Sequence, residues 1–283
     1  MKPPPFTYHR PRDRSEVDAL LADLGGDARI LAGGQSLVPI LNMRLAAPEH
    51  LVDINHLHDE PTDPEEGSGS VAFGPLVRQC TAEESSLVAA HVPLLAEAIG
   101  HVAHPAIRSR GTVAGSIAHA DPAAELPAAL VALGGEVVAR ARSGSRTIPA
   151  TEFFAGPLEN SLEPGEWVVE IRWPSRAPGA GYAFEEFARR SGDYALCGVA
   201  AVVERANGSG FRATLSYLGM GDSPRHLKID DFDLSGADDA VGSVSESLDP
   251  ISDLHASREF RLRLARVLGA RAVRRAAGAT DEG

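Results

Sequence analysis

The chain has 283 residues, 43% of them hydrophobic and 23% charged, with a formal net charge of -12. It is long enough for more than one domain, and its acidity excludes nucleic acid or an anionic membrane as the main partner, since both attract a positive field. Cys80 and Cys197 are its only cysteines, too few for an iron–sulfur cluster or a four-cysteine zinc site, so any redox centre is an organic cofactor or lies on another chain.

Met1-Lys2-Pro3-Pro4-Pro5 lacks the apolar core of a signal peptide, and no apolar run reaches membrane-spanning length, so a cytoplasmic protein is expected. Ser15 to Leu21 reads as the start of a helix with Ser15 as N-cap, ended by Gly25-Gly26. Arg29 to Ala32 is a short strand running into a glycine turn; Leu37 to Leu45 is a short helix or turn, and Leu51 to Ile54 a buried strand. Glu60 to Ser70 is polar and turn-rich, a loop between subdomains or within a hairpin, and Val71 to Gly74 resumes strand character. Leu87 to Ile99 has helical spacing with Pro93 as boundary or kink. Leu126 to Leu133 is helical, with strands at Glu136 to Ala139, Ile148 to Phe154 and Trp167 to Trp173. The stretch from Pro174 to Gly181 marks a domain boundary, followed by strands near Ala183 to Phe187, Gly198 to Glu204 and Phe211 to Leu218. From Asp230 to Asp253 there are eight acidic residues and no Lys or Arg, whereas the helix expected from Ala256 to Ala277 carries seven arginines and an apolar row at Phe260, Leu264, Val267 and Leu268. The two segments are expected to neutralise each other.

Two small-residue turns carry the chemistry. Ala32-Gly33-Gly34-Gln35-Ser36 and Thr112-Val113-Ala114-Gly115-Ser116 lie roughly eighty residues apart, and neither has the spacing of a Walker loop or a Rossmann fingerprint. A diphosphate is met by backbone N–H groups at close range, which side chains beyond a methyl obstruct. Gly33 and Gly34 can adopt positive φ, Ser36, Thr112 and Ser116 add hydroxyls, and Glu125 can accept from a ribose or ribityl hydroxyl. Asp121 before Pro122 reads as the N-cap of the next helix. Arg108 and Arg110 could pair with phosphate or with a neighbouring acid, and His104 and His119 flank the second turn. No hydrolytic triad or metal set is discernible.

Leu31-Ala32-Gly33-Gly34-Gln35-Ser36-Leu37-Val38-Pro39 with Asn42 to Leu45, the block from Ile107 to Pro127, and Arg190-Ser191-Gly192-Asp193-Tyr194-Ala195 resemble the FAD-binding medium subunit of the molybdenum hydroxylases, the family of carbon monoxide dehydrogenase and xanthine dehydrogenase flavoprotein subunits. The resemblance covers most of the chain. It implies an α+β fold of the vanillyl-alcohol-oxidase (PCMH) type: two α/β subdomains clamping FAD, at 1–57 and 58–175, and a C-terminal domain of antiparallel sheet and helices at 176–283. It also implies a binding set of Ala32, Gly33, Gly34, Gln35, Ser36, Leu37, Thr112, Val113, Ala114, Gly115, Ser116, Ala120, Glu125 and Tyr194. The two turns would take the pyrophosphate, Glu125 the ribityl region, and Tyr194 the isoalloxazine. One departure is Ala114, where the family commonly has glycine. The implied function is electron transfer without an acid or base catalyst: from a large molybdenum subunit through [2Fe-2S] clusters on a small subunit to FAD, then to an external acceptor, in a dimer of heterotrimers. Two other readings are a self-contained FAD-dependent oxidoreductase of the same fold and a flavin-free structural subunit.

Overall fold

The structure is a computed structural model and describes residues 2–206 and 210–280. Met1 of the opening segment and the far end of the last expected unit, residues 281–283, lie outside those residues.

The chain begins with β1 (Thr7–His9), α1 (Arg14–Leu24), β2 (Ala28–Leu31), α2 (Leu37–Asn42) and β3 (His50–Asp53). The strands form a parallel sheet in the order β1-β3-β2, so β2 and β3 end on the same edge, where α/β sheets usually present ligand loops. Helix α1 is capped by Asp13 rather than Ser15. The Asp13 carboxylate accepts from the Glu16 N–H at 2.9 Å, and the Ser15 hydroxyl donates to that same carboxylate at 2.5 Å. Gly25, at φ +57°, ends the helix where the sequence places its stop.

Next come β4 (Glu65–Glu66), β5 (Ser70–Phe73), α3 (Gln79–Glu84), α4 (Ser86–His91), α5 (Pro93–His101), α6 (Pro105–Arg108), α7 (Val113–His119) and α8 (Glu125–Leu133). The polar stretch after Glu60 closes as a hairpin, and Pro93 is a boundary at the first position of α5. The chain continues with β6 (Glu136–Ala141), β7 (Gly144–Pro149), α9 (Ala150–Phe153), β8 (Phe154–Gly156), β9 (Glu159–Asn160) and β10 (Trp167–Pro174). An antiparallel sheet runs β4-β5-β10-β6-β7. The strand expected from Ile148 to Phe154 is interrupted. The Ala150 N–H still follows the β6–β7 register in donating to the Gly135 carbonyl at 2.8 Å, and one helical turn from Ala150 then ends the strand and buries Phe153 completely.

The last part is an antiparallel meander of β11 (Gly181–Ala188), β12 (Ala195–Arg205), β13 (Phe211–Leu218) and β14 (Arg225–Phe232), followed by α10 (Ala237–Ser245) and α11 (Arg258–Ala279). One face of this sheet packs on α5 and α8, which share a core with the five-stranded sheet; the other carries α11 and α10. Of the apolar row expected on the final helix, Leu268 is buried and Leu264 packs partly buried on the same core, whereas Phe260 and Val267 are 42% and 50% exposed, and the rest of the buried stripe is Ala265, Gly269, Ala272, Val273 and Ala276. Small residues win because the helix lies almost on the sheet. A Cβ at Gly181 would collide with the Ala276 carbonyl, and one at Gly269 with the Tyr217 hydroxyl. The acidic segment does meet the arginines, through Arg274–Asp238 at 2.7 Å, Arg261–Asp253 at 2.6 Å and Arg258–Asp249 at 3.0 Å.

Candidate cofactor site

The two small-residue segments meet. Gly33 follows the end of β2, and a Cβ placed on it would lie 2.5 Å from the Arg110 carbonyl oxygen and 2.8 Å from the Gly111 Cα. Only glycine allows that approach. Gly34, at φ +72°, makes the left-handed turn into α2, whereas Gly33 does not take positive φ. Around this junction lies a cavity of about 390 Å³ walled by Ala32, Gly33, Gly34, Gln35, Ile107 and Arg110, with Asp53 and Asn55 at the end of β3. The Gln35 side chain is turned inward, donating to the Gly33 carbonyl at 3.0 Å, and so braces the turn. Ser36 holds the N-cap position of α2 without a side-chain cap bond, and Leu37 opens that helix.

The second segment is a helix start rather than an open turn. Thr112 caps α7, its hydroxyl accepting from the Gly115 N–H at 3.0 Å, and a Cβ on Gly115 would fall 2.5 Å from that hydroxyl oxygen. Val113 and Ala114 are buried in the core shared with α5 and α8, Ala114 at only 3% exposed. Gly115 and Ser116 are partly exposed. Ala120 ends the helix in the left-handed conformation, at φ +53°.

Two residues that the sequence left unmarked, Arg78 and Asn55, join the segments. Arg78 donates to Asn55 Oδ1 at 2.6 Å and to the Arg110 carbonyl, while Asn55 Nδ2 donates to the Ala32 carbonyl at 2.8 Å. Burial and the neighbouring Arg110 pull the Arg78 pKa below its ordinary value. Burial works to raise Asp53, but hydrogen bonds from Tyr8 and Asn55 outweigh it and hold the carboxyl below its ordinary range. The legible signal for Asn55 was its place just past a parallel strand. Arg108, left open by the sequence, is structural: it is 8% exposed, pairs with Glu83 at 2.7 Å and donates to the Val102 carbonyl at 2.8 Å.

A second zone lies between α7, α8 and the four-stranded sheet. Asp121 is not a helix cap. It accepts from the Ala123 N–H at 2.9 Å in a turn before α8, and Ala124 holds the cap position. Glu125 opens α8 at 8% exposure, and burial pushes its pKa up to about 7. Tyr194 is 71% exposed in the turn between β11 and β12. That turn is pinned: Gly192, at φ +82°, sits so close to the His104 ring and the Ala103 carbonyl that no side chain fits.

The donor set fits an elongated dinucleotide: a glycine cradle, two arginines beside it, a helix N-terminus, and a buried carboxyl with no donor from another side chain.

Comparison with known proteins agrees. Residues 4–176 match a family described as the FAD binding domain in molybdopterin dehydrogenase, and residues 182–276 match the CO dehydrogenase flavoprotein C-terminal domain. The chain is 39% identical over 284 residues to the 6-hydroxypseudooxynicotine dehydrogenase complex subunit alpha of Paenarthrobacter nicotinovorans, covering 98% of this chain and 96% of that one. It is 43% identical over 206 residues to the carbon monoxide dehydrogenase medium chain of Hydrogenophaga pseudoflava, covering 73% and 71%. A crystal structure of quinoline 2-oxidoreductase from Pseudomonas putida 86 superposes with a TM-score of 0.92 at 36% identity, covering 99% of each chain. The mixed helix-and-sheet fold is the one the resemblance implied.

Proposed function

The chain belongs to the family of FAD-binding subunits of molybdopterin dehydrogenases, and from that membership we propose that it relays electrons from [2Fe-2S] clusters on a small partner subunit, through FAD, to an external acceptor. It is the medium, FAD-binding subunit of a multi-subunit molybdenum hydroxylase, an oxidoreductase. Bound flavin supplies single-electron uptake and two-electron delivery. The residues of this chain bind, orient and exclude water.

On this reading the backbone from Ala32 to Leu37 and from Thr112 to Ser116 binds the pyrophosphate, with Arg110 alongside. Ala120 and Glu125 hold the ribityl chain, and Tyr194 covers the isoalloxazine. The contact of Gly33 with Arg110 and Gly111 carries this assignment, because it makes one wall out of two distant segments. Ala114, the departure from the family pattern, packs in the core and so is compatible with this assignment. The units 1–57, 58–175 and 176–283 each hold one of the three larger sheets.

The partners are a large molybdenum-cofactor subunit and a small iron–sulfur subunit, assembled as a dimer of heterotrimers in the cytoplasm. Relatives named as a complex subunit and a medium chain support a multi-subunit assembly. No helix among the described residues is long and apolar enough to cross a membrane. Purification under native conditions tests the whole reading: a flavin-coloured complex that releases FAD rather than FMN and contains both partner chains. Gly34→Asp places a carboxylate in the cradle at a positive φ and is expected to abolish FAD retention; unchanged flavin content shows that another loop binds it.

A further inference from the structure

Three consecutive residues tie the edge strand β1 and its exit to β3 and the turn after it. The Tyr8 hydroxyl donates to Asp53 Oδ2 at 2.5 Å. His9 Nε2 and His50 Nδ1 lie 3.0 Å apart, one donating to the other. The Arg10 guanidinium donates to His56 Nδ1 at 2.9 Å. The strand has only three residues, and Tyr8 is 49% exposed. It therefore buries little apolar surface and depends on these ties and its backbone ladder with β3.

The first tie reaches the cavity at the glycine turn. Asp53, Asn55 and Ala32 all line that cavity. Asp53 Oδ1 accepts from Asn55 Nδ2 at 2.6 Å, and the same Nδ2 donates to the Ala32 carbonyl at 2.8 Å. The other two ties need unprotonated ring nitrogens. Protons on both His9 and His50 leave their bond no acceptor and set two cations side by side. A proton on His56 Nδ1 turns an acceptor into a cation facing Arg10. It also draws His56 Nε2 toward Asp53 Oδ2, 3.8 Å away, the atom that Tyr8 holds. Imidazoles titrate near about pH 6.5, whereas Asp53, held below the ordinary carboxyl range, stays ionised there. The charged groups of β2 and α1, which flank β3, are engaged elsewhere: Arg29 with backbone carbonyls, Arg14 with Glu60, Asp18 with Arg140, and Glu16 with the Arg12 N–H. Asp23 on α1 and Glu49 beside His50 bond neither ring of the His9–His50 pair.

We propose that β1 is an acid-released latch on this cavity. Neutral imidazoles at His9, His50 and His56 keep the strand in place and Tyr8 on Asp53; their protonation frees the strand and loosens the Asp53–Asn55–Ala32 wall. The consequence for the cofactor rests on the flavin reading above, whereas the release of the strand does not.

Two measurements on the full chain test this at about pH 7.5 and about pH 5.5, either side of the imidazole range. One is hydrogen exchange of residues 2–12, corrected for the intrinsic pH dependence of exchange; the other is titration with FAD. At the lower pH the segment is expected to exchange faster and the Kd for FAD to rise about threefold to tenfold, as for the loss of a hydrogen bond. His9→Gln replaces a titrating ring with an amide that still accepts from a protonated His50. It is expected to hold the segment and the flavin better than wild type at about pH 5.5, a gain that misfolding cannot mimic. If His9→Gln does not fold, His50→Gln carries the same expectation. A wild-type segment that stays protected at the lower pH overturns the latch, as does one that frees while the Kd is unchanged. So does a Gln variant that follows the wild-type pH profile. A wild type that binds no FAD at either pH overturns the flavin reading, and exchange of residues 2–12 then decides the latch alone.

Discussion

At the scale of single residues, the site depends on backbone approach more than on reactive side chains. Gly33 lets the segment after β2 touch the one between α6 and α7, and Arg78 then ties them by donating to the Asn55 side chain and the Arg110 carbonyl. A guanidinium does this with fixed geometry that a lysine ammonium cannot reproduce. Arg78→Lys is therefore expected to keep the charge yet weaken FAD binding. Charge-assisted hydrogen bonds contribute about 1.5–3 kcal/mol each, so losing one means about a tenfold to hundredfold higher Kd. Titration of flavin-depleted protein with FAD measures it, and an unchanged Kd would show that Arg78 has no part in shaping the cleft. The glycines were legible from the small-residue turns that carry them. Arg78 was not, because it stands 23 residues from Asn55 and 32 from the Arg110 carbonyl it holds, and no local pattern marks such a partner.

Among the elements, the final helix separates what sequence shows from what packing decides. Its charge was legible, and so were its acidic partners. Its packed face was read only in part: Leu264 and Leu268 do pack, but Phe260 and Val267 do not, because the helix approaches the sheet too closely for anything but Ala and Gly along most of the stripe. The interruption at Ala150 was illegible for a related reason: one helical turn that buries Phe153 breaks a stretch with good strand composition. Within α11 the arginines differ in weight. Arg274 and Asp238 face solvent, and breaking that pair should leave the melting temperature nearly unchanged. Arg261 is 6% exposed, with Nη1 donating to the Leu196 carbonyl at 2.5 Å and Nη2 to Asp253 at 2.6 Å, fastening the helix to both the sheet and the preceding loop. Arg261→Met fills the volume but strands two acceptors, and about 2–4 kcal/mol of stability should be lost in urea unfolding. A loss no larger than that of Arg274→Met would contradict this ranking.

Across the whole molecule, the cavity has one wall from the parallel-sheet region and one from the region of the antiparallel sheet, so its shape depends on how those regions are joined. The join is a buried acid on α1. Asp18, 3% exposed, accepts from the Trp167 indole N–H at 2.9 Å and from Arg140 Nε at 2.8 Å, partners 149 and 122 residues away. Val17 and Leu21 beside it pack with Val138, Trp167 and Val169 of the five-stranded sheet. In Asp18→Ala the Trp167 N–H, in a residue 1% exposed, loses its acceptor and Arg140 loses its charge partner. Together these cost about 2–4 kcal/mol. Asp18→Asn keeps an acceptor for the indole and should cost less. Because the damage lies between the two walls, flavin should leave both variants at lower urea than the wild type, before the meander and α11 unfold. Flavin fluorescence followed alongside far-UV circular dichroism resolves the two events. If flavin release and loss of ellipticity coincide in Asp18→Ala at the wild-type midpoint, Asp18 does not hold the two walls in register.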